Sequence, residues 1–298
     1  MKLLLTILFI CMVCFINKSY SQQSAIYSQY LFNGLAINPA YAGHDESLSL
    51  TFLARMQSVG LEGTPNTQTF SAHTPVKRDK IGLGLQLFHE TIGVSNQSGV
   101  YMSYSYRLKY RSYTISFGLQ AGANFYRAQY TSLMVNDPGD PVFESDYKST
   151  TPNFGSGIFL NNDNFFAGLS LPQMFASNDP EIIQEKPFFI YGGYLIDLTT
   201  FLKLKPSTLV KIVNGKPVEW DISTSILIND ILWAGVLYRP ANAFSFIFEM
   251  QVTDQLQIGY AYDITLNKLH SVDNGSHEIM INYRFRFSQH GIISPRYF

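Results

Sequence analysis

Residues 277–287 read HEIMINYRFRF and show most regularly the alternation of apolar and polar side chains on which the fold prediction rests. Side chains of a β-strand point alternately to its two faces. One face of the stretch therefore carries an aliphatic and aromatic row from Ile279 to Phe287, and the other carries Glu278, Asn282 and two arginines. Such a strand suits a wall with lipid on one side and water on the other. A half-buried strand of a soluble sheet alternates in the same way. This stretch alone therefore does not distinguish a membrane barrel from a soluble sheet.

The same alternation recurs along the chain in about fourteen segments. They span residues 48–57, 66–74, 81–87, 100–109, 113–124, 153–160, 164–171, 188–198, 201–213, 220–229, 232–238, 244–250, 255–264 and 277–287. Tight connections, such as 109–112, alternate with long ones, such as 177–186, which is typical of outer-membrane barrels. The pattern predicts an all-β protein, a transmembrane antiparallel outer-membrane β-barrel of about 14 strands (12–14). A soluble sandwich or propeller is the alternative, and its aromatic faces would need a second sheet to cover them.

The N-terminus predicts a signal peptide over residues 1–21. Lys2 precedes an apolar run from Leu3 to Ile16, and small residues flank Tyr20 at a cleavage site before Gln22. The alternative, a retained membrane anchor, is disfavoured because the run is shorter than the ~20 residues that a helical span needs. We expect residues 22–45 to form a segment that packs on or in the barrel, and residues 46–298 to form the barrel in the outer membrane.

Composition supports contact with lipid. Aromatic residues make up 15% of the chain and charged residues 14%, against a usual charged fraction of about 25%. The formal net charge is −1, and removal of residues 1–21 would take away two lysines and no acid. This balance does not favour a nucleic-acid partner. Cys11 and Cys14 are the only cysteines, so the exported chain would contain no disulfide.

The segment 22–43 lacks strand alternation but is rich in aromatic residues and turn formers. Its side chains carry too much apolar surface to lie freely in water, at about 25 cal/mol per Å², so we expect it to contact the barrel wall or lumen. We predict that it is a plug or partner-binding segment. Its candidate site residues are Tyr27, Gln29, Tyr30, Phe32, Asn38, Pro39 and Tyr41.

No motif predicts catalysis. His89-Glu90 and His277-Glu278 begin like a zinc-protease motif but lack its second histidine, and we expect these side chains to be solvated or to face the lumen. Gly155-Ser156-Gly157 lacks the spacing of a nucleophile elbow. We therefore expect no catalytic residue, no cofactor and no metal site, and we predict that the protein is not an enzyme.

Several stretches resemble the PorP/SprF family of outer-membrane proteins of the type IX secretion system in Bacteroidetes. The most specific ones lie at the two ends of the mature chain. They are Tyr27-Ser28-Gln29-Tyr30-Leu31-Phe32-Asn33, Ile37-Asn38-Pro39-Ala40-Tyr41-Ala42-Gly43 and Ser294-Pro295-Arg296-Tyr297-Phe298. Weaker matches lie between them, such as Gly168-Leu169-Ser170-Leu171-Pro172 and Gly259-Tyr260-Ala261-Tyr262-Asp263.

The resemblance implies a barrel that serves protein secretion or gliding motility. The partners it implies are periplasmic ring proteins of the secretion machine, a peptidoglycan-binding lipoprotein, and the C-terminal domain of a secreted adhesin. The alternative function is a transport channel, either a porin or a hydrophobic-solute transporter with an N-terminal plug. The inward faces carry mainly Ser, Thr, Gly, Gln and Asn rather than the charged rings expected of a porin.

Phe298 generates a prediction, because outer-membrane barrels commonly end in an aromatic residue that the assembly machinery reads. Deleting Tyr297 and Phe298 should lower the yield of assembled barrel in a pulse-labelling experiment, while urea unfolding of barrel already folded changes little. The other role for Phe298 is as part of the interfacial aromatic girdle. Assembly of the truncated chain at the normal rate would leave only that role.

Overall fold

The computed structural model describes residues 27–45, 47–76, 80–133, 145–175 and 185–285. The predicted signal peptide at 1–21 and Phe298 lie outside these residues. The described part consists mainly of strands, with a few short 3₁₀ turns of three or four residues. No helix within these ranges is long and apolar enough to span a bilayer.

Fifteen strand segments form one antiparallel sheet in the described residues. They are β1 (Leu48–Met56), β2 (Asn66–Val76), β3 (Ile81–Ile92), β4 (Ser95–Tyr110), β5 (Tyr113–Ala128), β6 (Tyr147–Asn161), β7 (Phe165–Leu171), β8 (Phe188–Tyr194), β9 (Ile196–Asp197), β10 (Leu202–Ile212), β11 (Glu219–Ile228), β12 (Leu232–Arg239), β13 (Ala243–Gln251), β14 (Leu256–Thr265) and β15 (Ser276–Phe285). Because β8 and β9 both pair with β10 and only Leu195 separates them, they are two parts of one strand. The sheet therefore has fourteen strands.

The sheet is closed. Each strand pairs with its neighbours in sequence, and β1 also pairs with β15, from Leu48 opposite Phe285 to Met56 opposite His277. Closure gives every strand two neighbours, so the backbone groups that would be costly to expose to hydrocarbon are satisfied within the sheet. The predicted 14-strand barrel is confirmed.

The two faces of the wall differ as the alternation predicts. In β4 the outward row is apolar and 40–69% exposed, whereas Tyr101, Ser103, Ser105 and Arg107 point inward and are buried. In β15, Glu278, Met280 and Asn282 point inward and Ile279 and Ile281 point outward. The outer surface is thus a lipid-facing apolar band, and the lumen is mostly polar.

The two rims differ in the lengths of their connections. The short-turn rim, where β1 begins and β15 ends, has tight connections such as 111–112 and 229–231. The opposite rim, here called the loop rim, carries connections such as 57–65, 129–146 and 172–187. Strands β3 to β6 extend further towards the loop rim than the sequence pattern predicts, because Ser95–Ser98 and Tyr147–Pro152 continue the ladder with polar residues.

Candidate functional site

The lumen contains the chain's own N-terminal segment, residues 27–45, here called the plug. It consists of three short 3₁₀ turns, Tyr30–Phe32, Gly34–Ala36 and Pro39–Tyr41. It starts at Tyr27, beside wall residues near the loop rim, and ends near the short-turn rim, where β1 begins. Most of its residues are buried.

A group of charged residues holds the first part of the plug. The backbone N–H groups of Ser28 and Gln29 donate to the two carboxylate oxygens of Glu278, over 2.7 and 3.0 Å. Glu278 also pairs with Arg55, which lies 2.7 Å from a carboxylate oxygen of Asp263. The Ser28 hydroxyl donates to Asp263 over 2.8 Å. This group, Arg55, Asp263 and Glu278, is here called the latch, and all three side chains are buried.

The side chains of Tyr27, Tyr30 and Phe32 contact different strands of the wall. The Tyr27 hydroxyl hydrogen-bonds Thr69 of β2, and Tyr30 belongs to a buried cluster with wall residues of β10, β12 and β13. Burial raises the pKa of both tyrosines. The Phe32 ring packs edge-on against Trp233, and the Lys205 ammonium lies 4.3 and 4.2 Å from the centroids of these two rings. This cation–π arrangement connects the plug to β10 and β12.

Asn38 organises the middle of the plug. Its side-chain oxygen accepts a hydrogen bond from the Ala40 N–H over 2.9 Å and so caps the turn that begins with Pro39. Its amide nitrogen donates to the Ile158 carbonyl over 3.0 Å and to the Tyr191 hydroxyl over 3.1 Å. A single asparagine therefore shapes the turn and attaches it to β6 and β8.

The end of the plug is attached near the short-turn rim. The Ser105 hydroxyl and the Arg107 guanidinium donate to the carbonyls of Ala42 and Gly43, each over 2.6 Å. The Tyr41 ring packs against His44, His73 and Phe159, with centroids 4.7 to 5.5 Å apart. Burial alone would raise the pKa of Asp45, but the imidazole of His73, 3.6 Å away, together with Arg284 and His44, lowers it.

Glycines of the wall leave the space that the plug occupies. A Cβ atom on Gly118 would collide with the backbone of Pro39 and Ala40, one on Gly157 with the Asn38 side chain, and one on Gly82 with the Ala42 carbonyl. These three inward positions are here called the glycine cradle. At Gly118 and Gly82 the colliding atoms include plug backbone, which cannot rotate away as a flexible side chain can. The wall and the plug therefore fit each other closely at these positions.

The seven plug residues named from the sequence all lie in the lumen, but the sequence does not reveal their main partners. Glu278 and Arg55 lie on inward strand faces whose polar residue types are common in barrel lumens. They are more than 200 residues apart in the chain. The sequence likewise does not indicate that Lys205 is buried. The one available signal in the sequence is the Glu278 carboxylate, the only acid on the inward face of the 277–287 stretch.

The fold and the lumen define the class: this is an outer-membrane β-barrel with an internal N-terminal plug. The family model described as type IX secretion system membrane protein PorP/SprF matches residues 19–283. The chain therefore belongs to the PorP/SprF family. A search among curated proteins gives no match.

Solved structures similar to the chain are outer-membrane barrels. The P. putida toluene transporter TodX aligns with a TM-score of 0.48 and 10% identity over 86% of this chain and 95% of that one. The NanC porin aligns with a TM-score of 0.44 and 10% identity over 81% and 100%. A FadL homologue of Pseudomonas aeruginosa aligns with a TM-score of 0.41 and 11% identity over 80% and 90%. Identities this low carry no information about substrate.

The glycine cradle yields a prediction. Gly118→Val should displace the plug, because the new side chain would occupy the space of Pro39 and Ala40. No native cysteine follows residue 21, so a Leu31→Cys reporter, buried in the parent, can be labelled with a maleimide in detergent. We expect labelling at least ten-fold faster with Gly118→Val than without it.

The control is Ala121→Val, which places the same valine side chain at an exposed position of the same strand. Circular dichroism should confirm that both variants contain folded barrel. Equal labelling rates in the two variants would show that the cradle does not position the plug.

Proposed function

We propose that this protein is a closed, non-enzymatic anchor of the type IX secretion and gliding machinery. Its loop rim binds the C-terminal domain of a secreted adhesin, and its short-turn rim binds periplasmic ring proteins or a peptidoglycan-binding lipoprotein. Membership of the PorP/SprF family supports a role in type IX secretion. The assignment of the loop rim to the cell surface follows the usual arrangement of outer-membrane barrels, with short periplasmic turns and longer extracellular loops.

The observation that carries this proposal is the attachment of the plug at both ends of the lumen. The latch holds Ser28 and Gln29, and Arg107 holds Gly43. A transport barrel needs a continuous path for its solute through the lumen. An anchor needs only surfaces at its rims that bind partner proteins. A firmly held plug therefore favours binding at the rims over passage through the lumen.

The charged groups of the lumen also favour a non-enzymatic role. Arg55 is engaged by Asp263 and Glu278, and Arg239 forms a two-point pair with Asp221, at 2.7 and 2.8 Å. Catalytic acids and bases need access to a substrate. Side chains that neutralise one another beneath a plug are better suited to holding structure.

Conductance separates the anchor from a porin. In planar bilayers the purified protein should carry little steady current, because the plug fills the lumen. A variant lacking residues 27–40 should open the lumen and carry a steady current if it assembles. A large stable conductance of the intact protein would contradict the closed anchor and favour a porin.

Cargo retention tests the anchoring role directly. In a strain that lacks the gene, we expect at least one secreted adhesin to move from the cell surface to the medium, while other type IX cargo stays in place. The intact gene should restore retention, and surface proteomics with mass spectrometry of the medium measures both pools. Unchanged retention of every type IX cargo would contradict anchoring.

A further inference from the structure

A cavity of about 150 Å³ separates the plug from one side of the wall. Tyr27, Ala36 and Ile37 of the plug line one side, and inward residues of β2 to β5 line the other. Pro172, Gln173, Glu185 and Pro187, at the two ends of the 172–187 connection, also contribute. Because that connection belongs to the loop rim, the cavity lies on the side that the proposed function assigns to the cell surface.

The charges around this cavity do not balance. Glu185 pairs with Lys211 at 3.0 Å and with Lys216 at 2.6 Å, and Lys211 also lies 3.5 Å from Glu219. These two acids and two lysines neutralise one another. Glu90 lines the same cavity, accepts a hydrogen bond from Thr67 over 3.0 Å, and forms no salt bridge with any residue that the structure describes. Among the described residues, the acids around the cavity therefore outnumber the lysines by one, and Glu90 is the acid without an ion pair.

The rest of the lining suits a long side chain with a polar end. Phe88 and Tyr101 stack with centroids 6.3 Å apart and present apolar surface. Gln86 and Gln97 add amide groups that can hydrogen-bond a peptide. An engineered protein cavity of about 150 Å³ accommodates a ligand of benzene's size, so the end of one lysine or arginine side chain fits here.

We propose that this cavity receives a cationic side chain, lysine or arginine, of a protein partner at the loop rim. The inference rests on the proposed function, in which that rim binds a protein. A carboxylate in a partly enclosed site loses hydration, and an incoming cation offsets that cost where a neutral group cannot. A sugar hydroxyl could hydrogen-bond the same carboxylate and amides, but it would leave the charge uncompensated.

The test uses the purified mature protein in detergent micelles and small probes rather than a cargo protein. Nα-acetyl-lysine methylamide is compared with its neutral norleucine analogue and with methyl glucoside, by saturation-transfer NMR titration at low ionic strength. We expect the lysine probe to bind at least ten-fold more tightly than the norleucine probe. Glu90→Gln, which keeps the size of the side chain, should reduce that preference at least five-fold.

The control variant is Glu62→Gln, which removes an exposed carboxylate from another loop-rim connection and should leave the preference unchanged. Glu90→Asp, which keeps the charge, should retain most of it. Circular dichroism establishes that each variant is folded. Equal binding of the two peptide probes, tighter binding of the glucoside, or an unchanged preference in Glu90→Gln would overturn the inference. Cargo retention is measured in cells and independently, so failure here is distinguishable from failure of the anchoring role.

Discussion

The contact on which the rest of the lumen depends is that of Glu278 with the backbone of Ser28 and Gln29. A barrel closes because lipid cannot satisfy the backbone of an open sheet, and closure creates a lumen. Here a chain segment with little regular structure enters that lumen, so its N–H groups need acceptors other than a strand. Glu278 supplies two of them at once. Arg55 lies between Glu278 and Asp263 and compensates the negative charge of these two buried carboxylates.

We expect this arrangement to contribute more to the specificity of the plug's position than to the net stability of the protein. Burying ionised groups carries a desolvation cost that their mutual attraction often only offsets, whereas removing one partner from such a group typically costs about 3–5 kcal/mol. Any position of the plug that leaves Glu278 without the N–H groups of Ser28 and Gln29 would therefore be higher in free energy. The glycine cradle adds a steric condition, because only inward positions without a side chain admit the backbone around Pro39. The ion pairs and the steric fit together specify one position of the plug in the lumen.

The strands could be predicted from sequence because lipid and water impose a period of two on every strand that separates them. Residues 277–287 show that period, and β15 occupies most of that stretch. The sequence pattern does not predict the extension of β4 to Ser95, because strands that leave the membrane lose their apolar face. The plug was predictable as an apolar segment without alternation. Its partners were not, because pairing Arg55 with Glu278 depends on barrel closure, which joins the first strand to the last.

Hydrogen–deuterium exchange at single-residue resolution in nanodiscs tests whether the latch holds the plug in the lumen. The amides of Ser28 and Gln29 should exchange as slowly as strand amides of β1 and β15, because each donates to a buried carboxylate. The substitution Glu278→Ala should accelerate both, while amides in distant strands such as β7 keep their rates. Exchange of Ser28 and Gln29 in the intact protein at the rate of an unstructured peptide would contradict the claim.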